Sequence, residues 1–209
     1  MNDLVSIILT NYNYEKYLAR AIRSCLGQSQ CAVEVILVDD CSTDNSQEII
    51  NSFNFLPKNQ FRSVKTDANS GVAAASNLGL KTAVGRFCIR VDSDDFIAPE
   101  TSYFLKTYLE KNKEAFCVSC DYWLTDEYEN KIERKYAKQK NISCGIMYRR
   151  DLLLKLGGYN TDMRHREEEE LRKRLGDKYK IHHLEIPFYR YRMHNTNKTK
   201  TKEYSETTI

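Results

Sequence analysis

Two short apolar runs in this chain each end in a cluster of acids. Val35-Ile36-Leu37-Val38 runs into Asp39-Asp40, and Phe87-Cys88-Ile89-Arg90-Val91 runs into Asp92-Ser93-Asp94-Asp95. Apolar runs of this length read as strands buried on both faces. In an open α/β sheet, ligands bind in the crevice past the carboxyl ends of such strands. Two neighbouring strands would therefore deliver carboxylates to one crevice. A packed acidic cluster repels itself unless a cation joins it. Hard oxygen ligands suit Mg²⁺ or Mn²⁺, and these ions commonly bring a substrate phosphate with them. The pattern points to metal-assisted chemistry on a nucleotide-linked substrate.

The segments between these runs carry helical periodicity. Leu18, Ile22, Cys25 and Leu26 mark a helix over 14–26, stopped by Gly27. The capping residues of Ser42-Thr43-Asp44-Asn45-Ser46 open a second helix that runs through Ile49, Ile50 and Phe53. A short strand is expected over 61–65. Asn69-Ser70-Gly71 is a turn ahead of a small-residue helix over 72–82, and a further helix is expected over 101–111. Strand and helix in alternation predict an α/β fold: one Rossmann-like domain with a mainly parallel central sheet flanked by helices. The second half is less regular. Strands are expected over 116–120 and 142–148, a solvated hairpin or loop over 127–140, and helices over 152–156 and 167–175. Residues 195–209 read as a flexible basic tail.

Bulk composition narrows the class. With 209 residues, 41% hydrophobic and 29% charged, the chain is globular. A net charge of +3 gives no case for nucleic acid as a partner. No apolar stretch reaches the length of a membrane span, and the N-terminus lacks the pattern of a signal peptide, so a cytoplasmic protein is expected. The seven cysteines read as reduced thiols. Cys117 and Cys120 form a lone C-x-x-C on an expected strand, where alternation turns them to opposite faces and away from a shared metal.

Four segments, in order, resemble the family 2 glycosyltransferases, whose fold is the metal-dependent GT-A type. They are 5–13 (VSIILTNYN), 34–44 (EVILVDDCSTD), 69–77 (NSGVAAASN) and Asp92-Ser93-Asp94-Asp95, and the resemblance runs from Val5 to about His194. It implies that residues 1–97 form the nucleotide-sugar and metal half of the domain and 98–194 the acceptor half. It implies that Thr10, Asn11 and Tyr12 line the nucleotide pocket. Asp40 would accept a hydrogen bond from the base, uracil by expectation. Asp92 and Ser93 would lie near the ribose and metal, with Asp94 binding Mn²⁺ or Mg²⁺. One departure stands out: many members carry Arg where this chain has Ser76.

Glu167-Glu168-Glu169-Glu170 opens the last helix. Pairs four residues apart with Arg172, Lys173 and Arg174 give this run an ordinary role on an exposed face. Glu168 differs, because it heads the stripe formed with Leu171 and Leu175. The resemblance sets a catalytic base in an acidic pair after a Gly-Gly-aromatic segment, here Gly157-Gly158-Tyr159. That register makes Glu168 the base, where the family more often has Asp, with Glu167 as the alternative one residue away. The extra methylene displaces the carboxylate by about 1.5 Å. His194 resembles a C-terminal segment that meets the metal or diphosphate in some relatives. Arg192 could offer the diphosphate a planar fork. Tyr122-Trp123 lies where an acceptor subsite could form, although ordinary packing is the simpler role.

The resemblance implies an inverting transfer of sugar from a nucleotide sugar to an acceptor hydroxyl, on a glycan or lipid-linked glycan of the bacterial surface. Contact with the inner membrane face through Lys198, Lys200 and Lys202 is a further expectation. Two alternatives stay open: a sugar nucleotidyltransferase, and a non-catalytic nucleotide-binding partner on the same fold. A dinucleotide oxidoreductase is disfavoured, because no G-x-G-x-x-G follows the first strand.

Overall fold

The computed structural model describes residues 3–163 and 166–197. The first half alternates as expected: β1 (Val5–Asn11), α1 (Glu15–Leu26), β2 (Val33–Asp39), α2 (Ser46–Asn51), β3 (Phe61–Lys65), α3 (Val72–Thr82) and β4 (Phe87–Asp92). The second half holds β5 (Phe96–Ile97), α4 (Thr101–Lys111), β6 (Cys117–Thr125), β7 (Lys131–Lys135), β8 (Ile146–Arg149), α5 (Arg150–Lys155), α6 (Glu167–Leu175) and β9 (Ile181–Arg192).

One mixed sheet runs through both halves in the order β3-β2-β1-β4-β8-β6-β9-β5, with β7 beside β6. β3, β2, β1 and β4 are mutually parallel. β8 then joins β4 antiparallel, and β6 and β9 run parallel to each other. The chain moves outward from β1 to β2 and β3, then returns to place β4 on the other side of β1. That reversal opens a crevice between the carboxyl ends of β1 and β4. Register fixes what faces it: Thr10 lies beside Asp92, and Asn11 beside Asp39.

Two apolar layers hold the sheet. One joins Val5, Ile7 and Leu9 to Leu18 and Ile22 of α1 and Leu105 and Leu109 of α4. The other joins Ile8 and Cys88 to Leu80 of α3, Leu153 of α5, and Leu171 and Leu175 of α6. Each fully buried Leu or Ile contributes about 1.5–3 kcal/mol. α3 approaches closely because its residues are small: a Cβ on Gly79 would lie 2.4 Å from Ile8 Cγ2. Cys117 and Cys120 fall in opposite layers, and all seven cysteines are free thiols.

The charged 127–140 segment forms a hairpin arm, β7 against β6. The 12-residue β9 departs most from the sequence reading. Pro187 argues against an internal strand, but it sits where the β6–β9 register slips, pairing with Asp121 after Cys120 has paired with Leu184. Of the expected tail, residues 195–197 are described. Asn197 is buried, takes a bond from the His194 amide at 2.6 Å, and donates to the Arg192 carbonyl at 2.9 Å. Lys198, Lys200 and Lys202 lie outside the described residues. Among the described residues, no helix is long and apolar enough to cross a membrane.

Candidate active site

The two acidic clusters have different roles in the fold. Asp39 is buried and accepts bonds from Asn11 Nδ2 at 2.8 Å and from the Ser42 hydroxyl and amide. Asp40 is buried as well. Its Oδ1 accepts from Thr66 Oγ1 and the Ser70 amide, and its Oδ2 accepts from the Gly71 amide at 2.8 Å. The first cluster therefore ties the loop after β2 to the start of α3. Asp40 reaches a base only through lone pairs left over from this turn.

The second cluster faces the crevice. Asp92 keeps 30% of its side chain exposed and accepts from Thr10 Oγ1 at 3.3 Å. Ser93 is buried, with its amide bonded to the Thr10 carbonyl at 3.2 Å, and its hydroxyl has no hydrogen-bond partner. Asp94 Oδ2 lies 3.0 Å from His194 Nε2. Asp95 turns inward, accepting from the Tyr189 hydroxyl and the Arg192 amide, each at 2.8 Å. Burial, then Asp94 and Asp92, holds the Asp95 carboxyl well above the usual range.

His194 closes the arrangement. Its ring contacts Asp94 on one side and packs against Tyr17 and Tyr14, with centroids 4.8 and 5.7 Å away. Burial, then Asp94, Asp92 and Asp95, keeps the Tyr14 phenol protonated. Beside this closure lies an open cleft of about 440 Å³, lined by Asn13, Tyr14, Thr43, Asp44, Asn195 and Thr196 among others. Tyr12 is half-buried in the loop entering it.

Two donor atoms 3.0 Å apart fit one hard cation, since cis ligands at about 2.1 Å from an octahedral ion lie about 3 Å apart. The Asp94 carboxylate suits Mn²⁺ or Mg²⁺, and the His194 nitrogen beside it is the softer donor of the two. Another grouping, Asp92, Asp95 and Cys144, brings its donor atoms within 4.8 Å of one another. It suits a hard cation less well. Asp95 is committed to Tyr189 and Arg192, and burial, then Asp92 and Asp95, keeps the Cys144 thiol protonated.

Arg192 does not hold its fork open to a diphosphate. Nε donates to the Asp94 carbonyl at 2.9 Å, Nη1 to the Glu127 carbonyl at 3.0 Å, and Nη2 to Glu129 at 3.1 Å. It braces the Asp94 backbone instead. Tyr122 is a core residue, and Trp123 is half-buried with Lys131 over its ring.

The acids of α6 diverge. Glu168 is 1% exposed among Tyr148, Tyr159 and Leu171, with Oε1 accepting from the Tyr148 hydroxyl at 2.9 Å and Oε2 without a hydrogen-bond partner. Burial pushes its carboxyl up to about 7, against the pull of Tyr148, Arg172 and Arg90. Glu167 takes a bond from Arg90 Nη1 at 2.7 Å, and Arg90 Nε lies 3.3 Å from Asp92. The alternative acid is thus one guanidinium away from the crevice, and the register-preferred one lies in the apolar layer. The sequence reading did not single out Arg90, although a lone cation inside an apolar central strand was a visible signal.

The model of the glycosyl transferase family 2 matches residues 6–175. A glycosyltransferase of Haemophilus influenzae described as uncharacterized is 43% identical over 122 residues, 54% of this chain and 48% of the relative. The Escherichia coli protein WfaP, named a UDP-Glc:alpha-D-GlcNAc-diphosphoundecaprenol beta-1,3-glucosyltransferase, is 30% identical over 153 residues, 69% of this chain and 60% of that one. The chain thus spans less than two thirds of the length of these relatives. S. aureus TarS 1-349, solved with UDP-GlcNAc, shares the fold at a TM-score of 0.77 and 21% identity, covering 98% of this chain and 61% of that one. The mannosyltransferase PcManGT from Pyrobaculum calidifontis, solved with GDP-Man and Mn²⁺, does so at 0.74 and 19%, covering 94% and 58%. The match extends from β1 through α6 and takes in both the strand-end acids and the Glu167–Glu168 pair, and on it the chain belongs to the glycosyl transferase family 2.

Proposed function

We propose that this protein is an inverting glycosyltransferase that moves a sugar from a UDP-linked donor to a hydroxyl of a glycan or lipid-linked glycan in bacterial surface polysaccharide synthesis. The observation that carries this reading is the strand-end cluster at the reversal of the sheet, where Asp92 pairs with Thr10 and Asp94 meets His194. The named relative WfaP uses a UDP sugar, which supports uracil as the donor base. The open cleft beside His194 would take the nucleotide, although Thr10, Asn11 and Tyr12 are not among the residues that line it.

Asp94 and His194 would hold Mn²⁺ or Mg²⁺. A bound ion there supplies charge for the departing diphosphate. Arg192 fixes the Asp94 backbone, and Thr10 and Ser93 hold Asp92 against β1. The acceptor hydroxyl attacks the anomeric carbon opposite the diphosphate, and its proton passes to the Glu167–Glu168 pair. Glu168 has the proton affinity of a base working near neutrality. Glu167 has the position, on Arg90 next to Asp92. One displacement on one face inverts the anomeric centre.

The test is thermal unfolding with UDP, GDP, CDP and dTDP, each with Mn²⁺ and with a chelator. A ligand of the folded state raises the midpoint by mass action. The expected result is a rise with UDP that disappears with the chelator. No rise with any nucleotide would overturn the donor site.

A further inference from the structure

Arg90 sits in the middle of β4 with 4% of its side chain exposed. A cation in a central strand loses its hydration, and burial alone would pull its pKa down. Asp92 and Glu167 outweigh that and raise it well above the usual value. Stability does not account for such an arrangement, because replacing a buried ion pair by apolar groups of similar volume is often neutral or stabilising. What Arg90 connects is more informative. Nη1 donates to Glu167 Oε1 at 2.7 Å and to Ser76 Oγ at 3.5 Å, Nε lies 3.3 Å from Asp92 Oδ1, and the guanidinium lies 5.5 Å from the Tyr159 ring centre. One side chain thus ties β4, α3 and α6 together.

The α6 end of this tie needs it. The N-cap residue, Arg166, is left-handed at φ 58°, and its side chain makes no capping bond to the helix. Four glutamates in that first turn repel one another. The Arg90–Glu167 bond fastens this turn to the strand that carries Asp92. Ser76 makes room for it: its hydroxyl donates to the Val72 carbonyl at 2.6 Å and leaves the guanidinium space above α3.

We propose that Arg90 is a positioning residue that holds Glu167 on the acceptor side in fixed register with Asp92, whose own place on the donor side the strand pairing sets, in the space that Ser76 leaves open. The inference rests on the transferase reading above. It makes Arg90 act on the chemical step through other residues, without touching the nucleotide.

The test measures UDP released by hydrolysis, with water taking the sugar in place of the acceptor hydroxyl, from UDP-glucose and UDP-N-acetylglucosamine with Mn²⁺, for the wild type, Arg90→Met, Arg90→Lys, Glu167→Gln and Arg90→Met/Glu167→Gln. Arg90→Met should lower kcat roughly 30- to 100-fold, as expected for a misplacement of about 1 Å, with the donor KM within about threefold. Arg90→Lys, which keeps the charge but lacks the fork, should recover about tenfold of that loss. The double variant removes both charges, so it leaves no buried unpaired ion and guards against a simple folding failure. It should be no slower than Glu167→Gln alone, because coupled residues do not lose activity independently. Losses that multiply in the double variant, or that fall on KM, would overturn the positioning role while leaving the transferase reading intact. A wild type that releases UDP from neither donor would overturn the transferase reading, and this inference with it.

Discussion

The two halves of the sheet place their acids by different means. In the parallel half, β3-β2-β1-β4, backbone register does the placing: Asp92 lies beside Thr10 and Asp39 beside Asn11 because the strands pair that way. In the mixed half, side-chain partners do it: Glu167 is where Arg90 holds it, and Glu168 is where Tyr148 and the apolar layer hold it. An acid set by register should survive a change in its neighbours. An acid set by partners should move, or change its protonation, when a partner is altered.

The largest expected effect tests the first half of this contrast. Asp94→Ala should reduce sugar transfer roughly 10²- to 10³-fold, the scale seen when a transition-state charge loses one stabilising group. It should leave the fold intact, because the Asp94 backbone remains braced by Arg192 and His194 keeps its packing against Tyr17 and Tyr14. Circular dichroism and the unfolding midpoint should be near wild type, and added Mn²⁺ should no longer raise the midpoint with UDP. A variant that keeps metal-dependent UDP binding would remove Asp94 from the metal site.

The glutamate pair tests the second half. Glu167→Gln and Glu168→Gln compared for transfer, with nucleotide binding as control, separate position from proton affinity. If the structure's geometry decides, Glu167→Gln loses transfer by about 10²-fold or more and keeps UDP binding, and Glu168→Gln is the milder change. The reverse order would mean that α6 opens its first turn during turnover and that the sequence register had named the base correctly.

Glu168 also has a consequence for stability. Its carboxyl ionises near 4.5 in the unfolded chain and at about 7 in the folded one. Between those values the unfolded chain has shed a proton that the folded chain keeps. Stability from this group therefore falls as pH rises from about 4.5 to about 7 and is level above that, for a total of about 3 kcal/mol. Glu168→Gln resembles the protonated form and should flatten this slope. Its midpoint should exceed that of the wild type by about 5–10 °C at pH 8 and match it near pH 4.5. Parallel stability curves for the two proteins would show that the burial of Glu168 is relieved by other means.

How much of this was legible in the sequence follows the same division. Short βα units carry their signals locally. Thus 14–26, 33–38, 61–65, 72–82 and 87–91 were readable, and so were the strand-end acids. β9 was not, because its pairing with β6 absorbs Pro187 through a register slip that no local pattern announces. Asp94 and His194 are 100 positions apart, and only the resemblance linked them before the fold brought them together. The burial of Glu168 could not be read either. Its helical stripe indicated an inward face, but it gave no means of distinguishing an apolar layer from a cleft. The Arg192 fork shows no local sign of its three partners, Asp94, Glu127 and Glu129, because they converge only through the β6–β7 arm.

The smallest expected effect concerns Asp40, where the two modes of placement meet. Register sets its backbone, yet its carboxylate is held by Thr66, Ser70 and Gly71. Asn keeps the shape but turns an N–H₂ towards one of these donors, so Asp40→Asn should cost about 1–3 kcal/mol of stability. Gly71 sits at φ +88° at the start of α3, and Gly71→Ala should strain the same turn without touching the carboxylate, at about 1 kcal/mol. Comparing UDP affinity in the two variants at a temperature where both are folded then isolates the base contact. If Asp40 serves only the turn, both bind UDP alike. If it also accepts a hydrogen bond from uracil, Asp40→Asn alone weakens UDP, by about tenfold for the loss of one bond to a charged group.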